Sequence, residues 1–314
     1  MSSVRTNEKV IFTFWEPQGS MISYLRLCIK TWEKNLPGCE VVVLDHANLG
    51  EYIGPEPYNM GALKRLLLPM QKDAVQWAVL NRHGGVFMDM DTIAVADIAP
   101  VTDRLADTEL IMFGLHMAFA AARPGGRVLN RCVAGVREKL ERLPENVNAA
   151  TDLKWDFAGN SVLHAVMADL INATPFGKAT DSVLSAAFGA LGRLAGGGAL
   201  NRLRTTVYNK RQGFFYKTAL KKYLTKLDRE KYGFIPELSY GWDKRMSHRD
   251  WYVRFWFESD LGVDAVFREG QTVIGLHNSW TPEWYKRLSE REVLEHPCLL
   301  SQTLRRALGM NDDD

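Results

Sequence analysis

Apolar positions in the first hundred residues switch between a strand-like and a helix-like period. Val10 to Phe14 is an unbroken β-branched and aromatic run, and Glu40 to Leu44 is a second one ending at Asp45, so both predict buried strands. Between them, Ser23 to Asn35 carries apolar residues at helical spacing. Lys72 to Arg82 predicts a further helix that stops at Gly84 and Gly85, where an αL cap is expected. Val86 to Met88 predicts the next strand, followed by Asp89-Met90-Asp91-Thr92. Strands alternating with helices at these spacings predict parallel βαβ units in an α/β sheet covered on both faces.

After about residue 100 the pattern is less regular. Ile111 to Leu115 predicts a strand, Val128 to Leu143 and Ser161 to Asn172 predict helices, and Thr272 to Leu276 predicts a last strand leading into His277-Asn278-Ser279-Trp280. An aromatic-rich stretch runs from Trp251 to Phe257, and the acidic end, Asn311 to Asp314, is expected to fray. No internal repeat is visible. These signals divide the chain into an α/β half over 1–110, an acceptor-side and closing part over 111–177 and 228–300, a basic insertion over 178–227 and a tail over 301–314.

Composition narrows the class without changing this outline. The 314 residues hold 46% hydrophobic and 24% charged side chains, which supports a packed core and excludes wholesale disorder. A formal net charge of +2 speaks against a dedicated nucleic-acid binder. Cys28, Cys39, Cys132 and Cys298 have no zinc or disulfide-framework spacing and are expected to be reduced thiols. The N-terminus does not read as a signal peptide, and no stretch has the roughly 18 uninterrupted apolar residues of a membrane span.

The sharpest chemistry is Asp89-x-Asp91, directly after an apolar strand. Alternating side chains would let both carboxylates converge at the strand's carboxyl end, where open α/β sheets bind ligands. Two like charges there call for a cation, and a hard divalent metal would leave coordination positions open for substrate phosphate. The bland alternative is two acids opening a surface loop.

The stretch Lys72 to Gln76, continuing through Gly84-Gly85-Val86-Phe87-Met88-Asp89-Met90-Asp91, resembles the signature of the Asp-x-Asp sugar-binding glycosyltransferases of the family 32 or capsular polysaccharide synthesis type. Ile11 to Pro17 resembles their first strand, and Leu25 to Leu44 the helix and strand that follow. The resemblance implies a GT-A fold: a Rossmann-like, mostly parallel sheet flanked by helices, here with a mainly helical insertion. It also implies a UDP-sugar donor, Mn²⁺ or Mg²⁺, and transfer of a hexose with retained configuration. The family commonly carries Asp-x-x-Arg before the double glycine, whereas here Asp73 is followed by Gln76, which replaces a guanidinium with a neutral amide.

Under this resemblance Asp89 and Asp91 hold the metal, with His277 as a third ligand and Asn278 or Ser279 as alternatives. Asp73 and Gln76, one helical turn apart, would bind one sugar. Trp280 would cover the diphosphate, Phe14 or Trp15 would stack on the nucleobase, and Asp45 would accept from base or ribose, unless it simply caps a turn through Asn48. His116, Trp155, Asp156 and Asn160 are the acceptor-side candidates. The metal would neutralise charge on the departing diphosphate.

The bulk charge conceals an uneven distribution. Lys178 to Lys226 holds ten basic residues against one acid, Asp181, a surplus of +9 that leaves −7 on the rest. Apolar side chains interleave with the cations, including Val183, Leu184, Phe214, Phe215, Leu220 and Leu224. This combination predicts docking of 182–227 on an anionic membrane surface, with the enzyme peripheral on the inner face of a bacterial cytoplasmic membrane and a lipid-linked glycan as acceptor. The competing functions are an effector-type glycosyltransferase acting on protein and a non-catalytic nucleotide-sugar-binding scaffold.

Overall fold

The computed structural model describes residues 10–54, 57–114, 116–192, 207, 214–215, 218, 220–227, 243 and 245–310. Its centre is a six-stranded sheet in the order β2 (Glu40–Leu44), β1 (Val10–Phe14), β3 (Gly85–Met88), β6 (Phe119–Ala122), β5 (Leu110–Phe113), β7 (Leu224–Leu227). β1 pairs in parallel with β2 and β3, and β5 with β7, while β6 lies antiparallel to both β3 and β5. Five strands therefore point one way and β6 is reversed, giving the mostly parallel α/β sheet expected. The Phe-Ala-Ala-Ala sequence of β6 has little strand propensity of its own, and its burial between two neighbours holds it extended.

Helices α1 (Ser23–Asn35) and α2 (Leu68–His83) make the βαβ crossovers. Alternation along the strands sends Phe12, Phe14 and Phe87 to one face, with Trp77 of α2, and Ile11, Val86 and Met88 to the other, with Trp32 of α1. The first face also receives α3 (Arg127–Glu141) and α4 (Asn160–Asn172), and α5 (Pro175–Gly192) follows α4. The second also receives α6 (His248–Phe257) and α7 (Leu299–Ala307).

A two-stranded antiparallel sheet, β4 (Thr92–Ala94) with β8 (Val273–Gly275), brings the end of the chain back to the Asp-x-Asp segment. Buried donors support it: Trp32 Nε1 donates to the Thr92 carbonyl at 2.6 Å, and the Ala94 amide donates to Thr31 Oγ1 at 2.9 Å.

Several sequence expectations shift. The α2 helix ends on Gly84 at φ +68°, ψ −154°, a positive-φ extended conformation essentially reserved for glycine, rather than the αL cap predicted. A Cβ there would sit 2.7 Å from Pro124 Cδ and 2.9 Å from the Ala122 carbonyl, so β6 packs close against the turn. Residues 224–227 form the edge strand β7, and Phe215, Leu220 and Leu224 are buried, so these three are core residues instead of membrane anchors. Within the basic segment, Arg193, Arg202, Arg204, Lys210, Arg211 and Lys217 lie outside the described residues, as do 311–314. Residues 299–307, which straddle the predicted start of the tail, form α7 with Leu300 and Leu304 fully buried. The four cysteines are free thiols, and no described helix is long and apolar enough to cross a membrane.

Candidate functional site

Strand β3 ends at Met88, and the chain turns through Asp89-Met90-Asp91 before entering β4. The two carboxylates therefore straddle a turn between two sheets instead of sharing one strand face, because the Asp89 amide pairs with the Ala118 carbonyl at 2.8 Å and the ladder then stops. They lie at the carboxyl end of β3, as expected for a ligand site in an open α/β sheet.

Each carboxylate has its own partner. Lys72 Nζ lies 2.8 Å from Asp73 Oδ1 and 2.8 Å from Asp89 Oδ1, bridging the first turns of α2 to the end of β3. Asp91 Oδ2 accepts from the Asn278 amide at 2.6 Å, and the Asp91 carbonyl accepts from the Leu276 amide at 2.8 Å. Tyr24 then donates its hydroxyl to Asn278 Oδ1 at 2.6 Å, and the His277 amide donates to the Tyr252 hydroxyl at 3.3 Å. The closing segment is thus tied to Asp91, α1 and α6 at once.

Electrostatics follow from these contacts. Burial disfavours charge on Lys72, yet Asp73 and Asp89 outweigh it and raise its pKa above the ordinary lysine value. Burial pushes the Asp73 carboxyl up, opposed by Lys72. Asp91 is pushed up to about 7 by desolvation and then by the Asp89 charge. His277 is lowered to about 4 by burial and by His116, against the pull of Asp89, so its imidazole is neutral near pH 7.

The two titrations have opposite effects on stability. Asp91 binds its proton more tightly folded than unfolded, so its contribution falls as pH rises from about 4 to about 7. His277 binds its proton less tightly folded, so its contribution falls as pH drops from about 6.5 to about 4.

Asp73 and Gln76 share one face of α2. The Asp73 carboxylate packs against Gly159 so closely that a Cβ there would overlap it, which explains glycine at that position. Gln76 is fully buried, and neither its Nε2 nor its Oε1 has a hydrogen-bond partner among the described residues; Asn160 Oδ1 is in the same condition. An unsatisfied buried polar group costs on the order of 1–3 kcal/mol, so each needs a physical reason to persist.

The acceptor-side candidates divide between two places. Asp156 contributes to the electrostatics of Asp73, and Asn160 follows Gly159, so both belong to the Asp73 side. The His116 ring lies 6.2 Å from that of His277, on the closing side, and Trp155 is 72% exposed. Trp280 packs 4.0 Å from the His277 ring, and Ser279 is exposed. Phe14 is buried with its ring 5.9 Å from His46, which leaves the partly exposed Trp15 as the more accessible of the two proposed stacking residues. Asp45 Oδ1 accepts from the Ala47 and Asn48 amides at 2.8 and 3.0 Å, so it caps the turn.

Residues 2–135 match the model of a family described as capsular polysaccharide synthesis protein. The matched stretch is less than half of the chain and contains Lys72, Asp73, Gln76, Asp89 and Asp91. No curated protein matches the chain. A solved structure titled PaToxG Glycosyltransferase aligns at 15% identity over 66% of this chain and 87% of that one, with a TM-score of 0.34, too slight a likeness to bear on the site.

Asp89 and Asp91 offer hard oxygen donors that suit Mn²⁺ or Mg²⁺, and the ring nitrogen of neutral His277 would favour Mn²⁺ of the two. Among the described residues, however, no three His, Cys, Asp or Glu side chains converge as a ready metal cluster. Sequence reading passed over Lys72 and Tyr24 as site residues. Lys72 stood inside the recognised motif, and its place beside Asp73 was the available signal. Tyr24 carried none, since its partner is 254 residues away.

Proposed function

We propose that this protein is a retaining glycosyltransferase of the GT-A type, moving a hexose (galactose, glucose or an N-acetyl derivative) from a UDP-sugar to a capsular or lipopolysaccharide glycan. The observation that carries this reading is the meeting of two distant segments, 72–91 and 277–280, around one group of carboxylates at the carboxyl end of β3. The family match over 2–135 supports it.

In this reading Asp89 and Asp91 would hold a divalent cation, with His277 as the further donor. Bound there, the ion would supply Lewis-acid neutralisation of the departing diphosphate. Lys72 fixes the Asp73 and Asp89 carboxylates, and Asp73 and the orphaned Gln76 amide take the sugar hydroxyls. Trp280 covers the diphosphate from the closing segment. A retaining transfer of this kind delivers the acceptor proton to the leaving oxygen, so the residues position the groups and none needs to act as a strong base.

The test is thermal unfolding with UDP-glucose, UDP-galactose and UDP-N-acetylglucosamine, with and without Mn²⁺. One donor should raise the midpoint by several degrees, more with Mn²⁺ than without, because a ligand selective for the folded state stabilises it by mass action. The Mn²⁺ increment should be larger at pH 8 than at pH 6, since the ion competes with the proton held by Asp91 at a pKa of about 7. No stabilisation by any donor would overturn the proposal.

A membrane surface and a lipid-linked acceptor belong to the same proposal. Val183 and Phe214 within the basic segment and Phe176 just before it are 67%, 52% and 58% exposed. Changing all three to serine should reduce sedimentation with anionic vesicles several-fold, and equal sedimentation of variant and parent would remove the membrane as a partner.

A further inference from the structure

Beyond Trp280 the closing segment opens onto a groove of about 800 Å³ between itself and α6. That volume lies within the range of roughly 300–1,000 Å³ typical of small-molecule sites. Its walls carry two indoles, Trp280 and Trp284, and four exposed charged side chains, Arg249, Asp250, Arg254 and Glu258. A second depression of about 380 Å³ shares Arg254 and Glu258 with it, so the recess continues along the C-terminal half of α6. None of these four charged residues belongs to the carboxylate site.

We infer that this groove binds a neutral oligosaccharide and forms the acceptor subsite of the proposed transferase. The inference rests on that reading for its role in transfer, but the binding itself is separable from it. Three observations carry it. Trp284 is 46% exposed although it packs on Tyr285, His296 and Phe257, so a large flat apolar surface is held rigidly towards solvent. An indole offers an apolar body with a polar handle, which suits a pyranose ring with one C–H face and a rim of hydroxyls. The two arginines and two acids balance in charge, so the groove presents both donors and acceptors without the cationic surplus that a phosphate would require.

Position supplies the connection to chemistry. Trp280 lines the groove, and its ring lies 4.0 Å from that of His277, whose neighbour Asn278 donates to Asp91. His248 of α6 lies parallel to Trp280 within 3°, at 6.4 Å between centroids. A glycan lying against Trp284 and running towards Trp280 would therefore bring its terminal sugar towards the carboxylate group. This places the acceptor on the α6 side of the molecule, away from the Asp156–Asn160 segment that adjoins Asp73.

Saturation-transfer NMR on the full chain with maltotriose, cellotriose and chitotriose tests the inference. At least one trisaccharide should bind, and Trp284→Ala and, independently, Arg254→Ala should each weaken its Kd about tenfold or more. Arg254 is exposed and its variant should unfold at the temperature of the parent, whereas Trp284→Ala gives up packing on three rings and should unfold somewhat lower, so binding is measured well below its midpoint; hydrolysis of the UDP-sugar in the absence of acceptor should be unchanged in both. Absence of binding by all three sugars, binding unaffected by both substitutions, or displacement of the bound sugar by inorganic diphosphate would each overturn the assignment. If the parent hydrolyses and binds no UDP-sugar while trisaccharide binding still depends on Trp284, the groove stands and the transferase reading falls.

Discussion

Asp91→Asn is expected to lower UDP-sugar turnover by ~10²–10³-fold, the size of effect seen when one preorganised electrostatic group is removed from a reaction centre. The substitution separates charge from scaffolding. Asp91 Oδ2 accepts from the Asn278 amide, and an asparagine Oδ1 can accept the same bond, so the closing segment should remain attached. What disappears is the negative charge that the fold holds at a cost, shown by the rise of the Asp91 pKa to about 7. The variant should accordingly unfold no more easily than the parent above pH 7, since the repulsion from Asp89 goes with the charge. Turnover and thermal unfolding measured together at pH 8 decide the matter. Retention of more than a tenth of parental turnover would take Asp91 out of the catalytic machinery.

Lys72→Met should have the largest effect on stability. Its ammonium serves two carboxylates at 2.8 Å each, and the side chains of Asp73 and Asp89 are only 7% and 23% exposed. Removing one partner of a buried ion pair while leaving the other typically costs about 3–5 kcal/mol, because a buried charge is left uncompensated. Protonation offers a partial escape. With Lys72 gone, the already raised Asp73 pKa should climb further, and a carboxyl whose folded pKa exceeds its unfolded value loses stability as pH rises between the two. The deficit should therefore be greater at pH 8 than at pH 5. Urea unfolding at the two pH values gives the answer, and an equal deficit at both would show that Lys72 acts through packing alone.

The two predictions differ in how far sequence could have led to them. Asp91 is legible because a polar pair interrupts an apolar run just after two glycines, a local contrast that needs no partner to be seen. The same locality explains why β1, β2 and α1 fall at their predicted residues: each satisfies its own backbone or buries a face dictated by its own period. Lys72 is adjacent to Asp73 in the chain, but its importance comes from Asp89, which reaches it only because α2 packs along the sheet beside β3. Nothing in the spacing of 72 and 89 specifies a distance of 2.8 Å.

The basic segment shows the opposite failure. Its composition suggested one surface, yet Phe215, Leu220 and Leu224 are drawn into the core because β5 has an open edge that β7 completes. A row of unpaired backbone groups on a buried strand recruits a partner wherever the chain can supply one. Likewise, α7 is spared from being a tail by an apolar face that finds α1 and α6.

By itself the sequence determined the class of fold and marked the Asp89-Met90-Asp91 turn, since periodicity and residue type act over a few residues. Only the tertiary structure decided which carboxylate meets Lys72, that Asp91 fastens the closing segment through Asn278, that Asp45 caps a turn, and that an aromatic groove opens beyond Trp280. These depend on contacts between residues tens to hundreds of positions apart, set by how whole layers pack, and no local pattern encodes them.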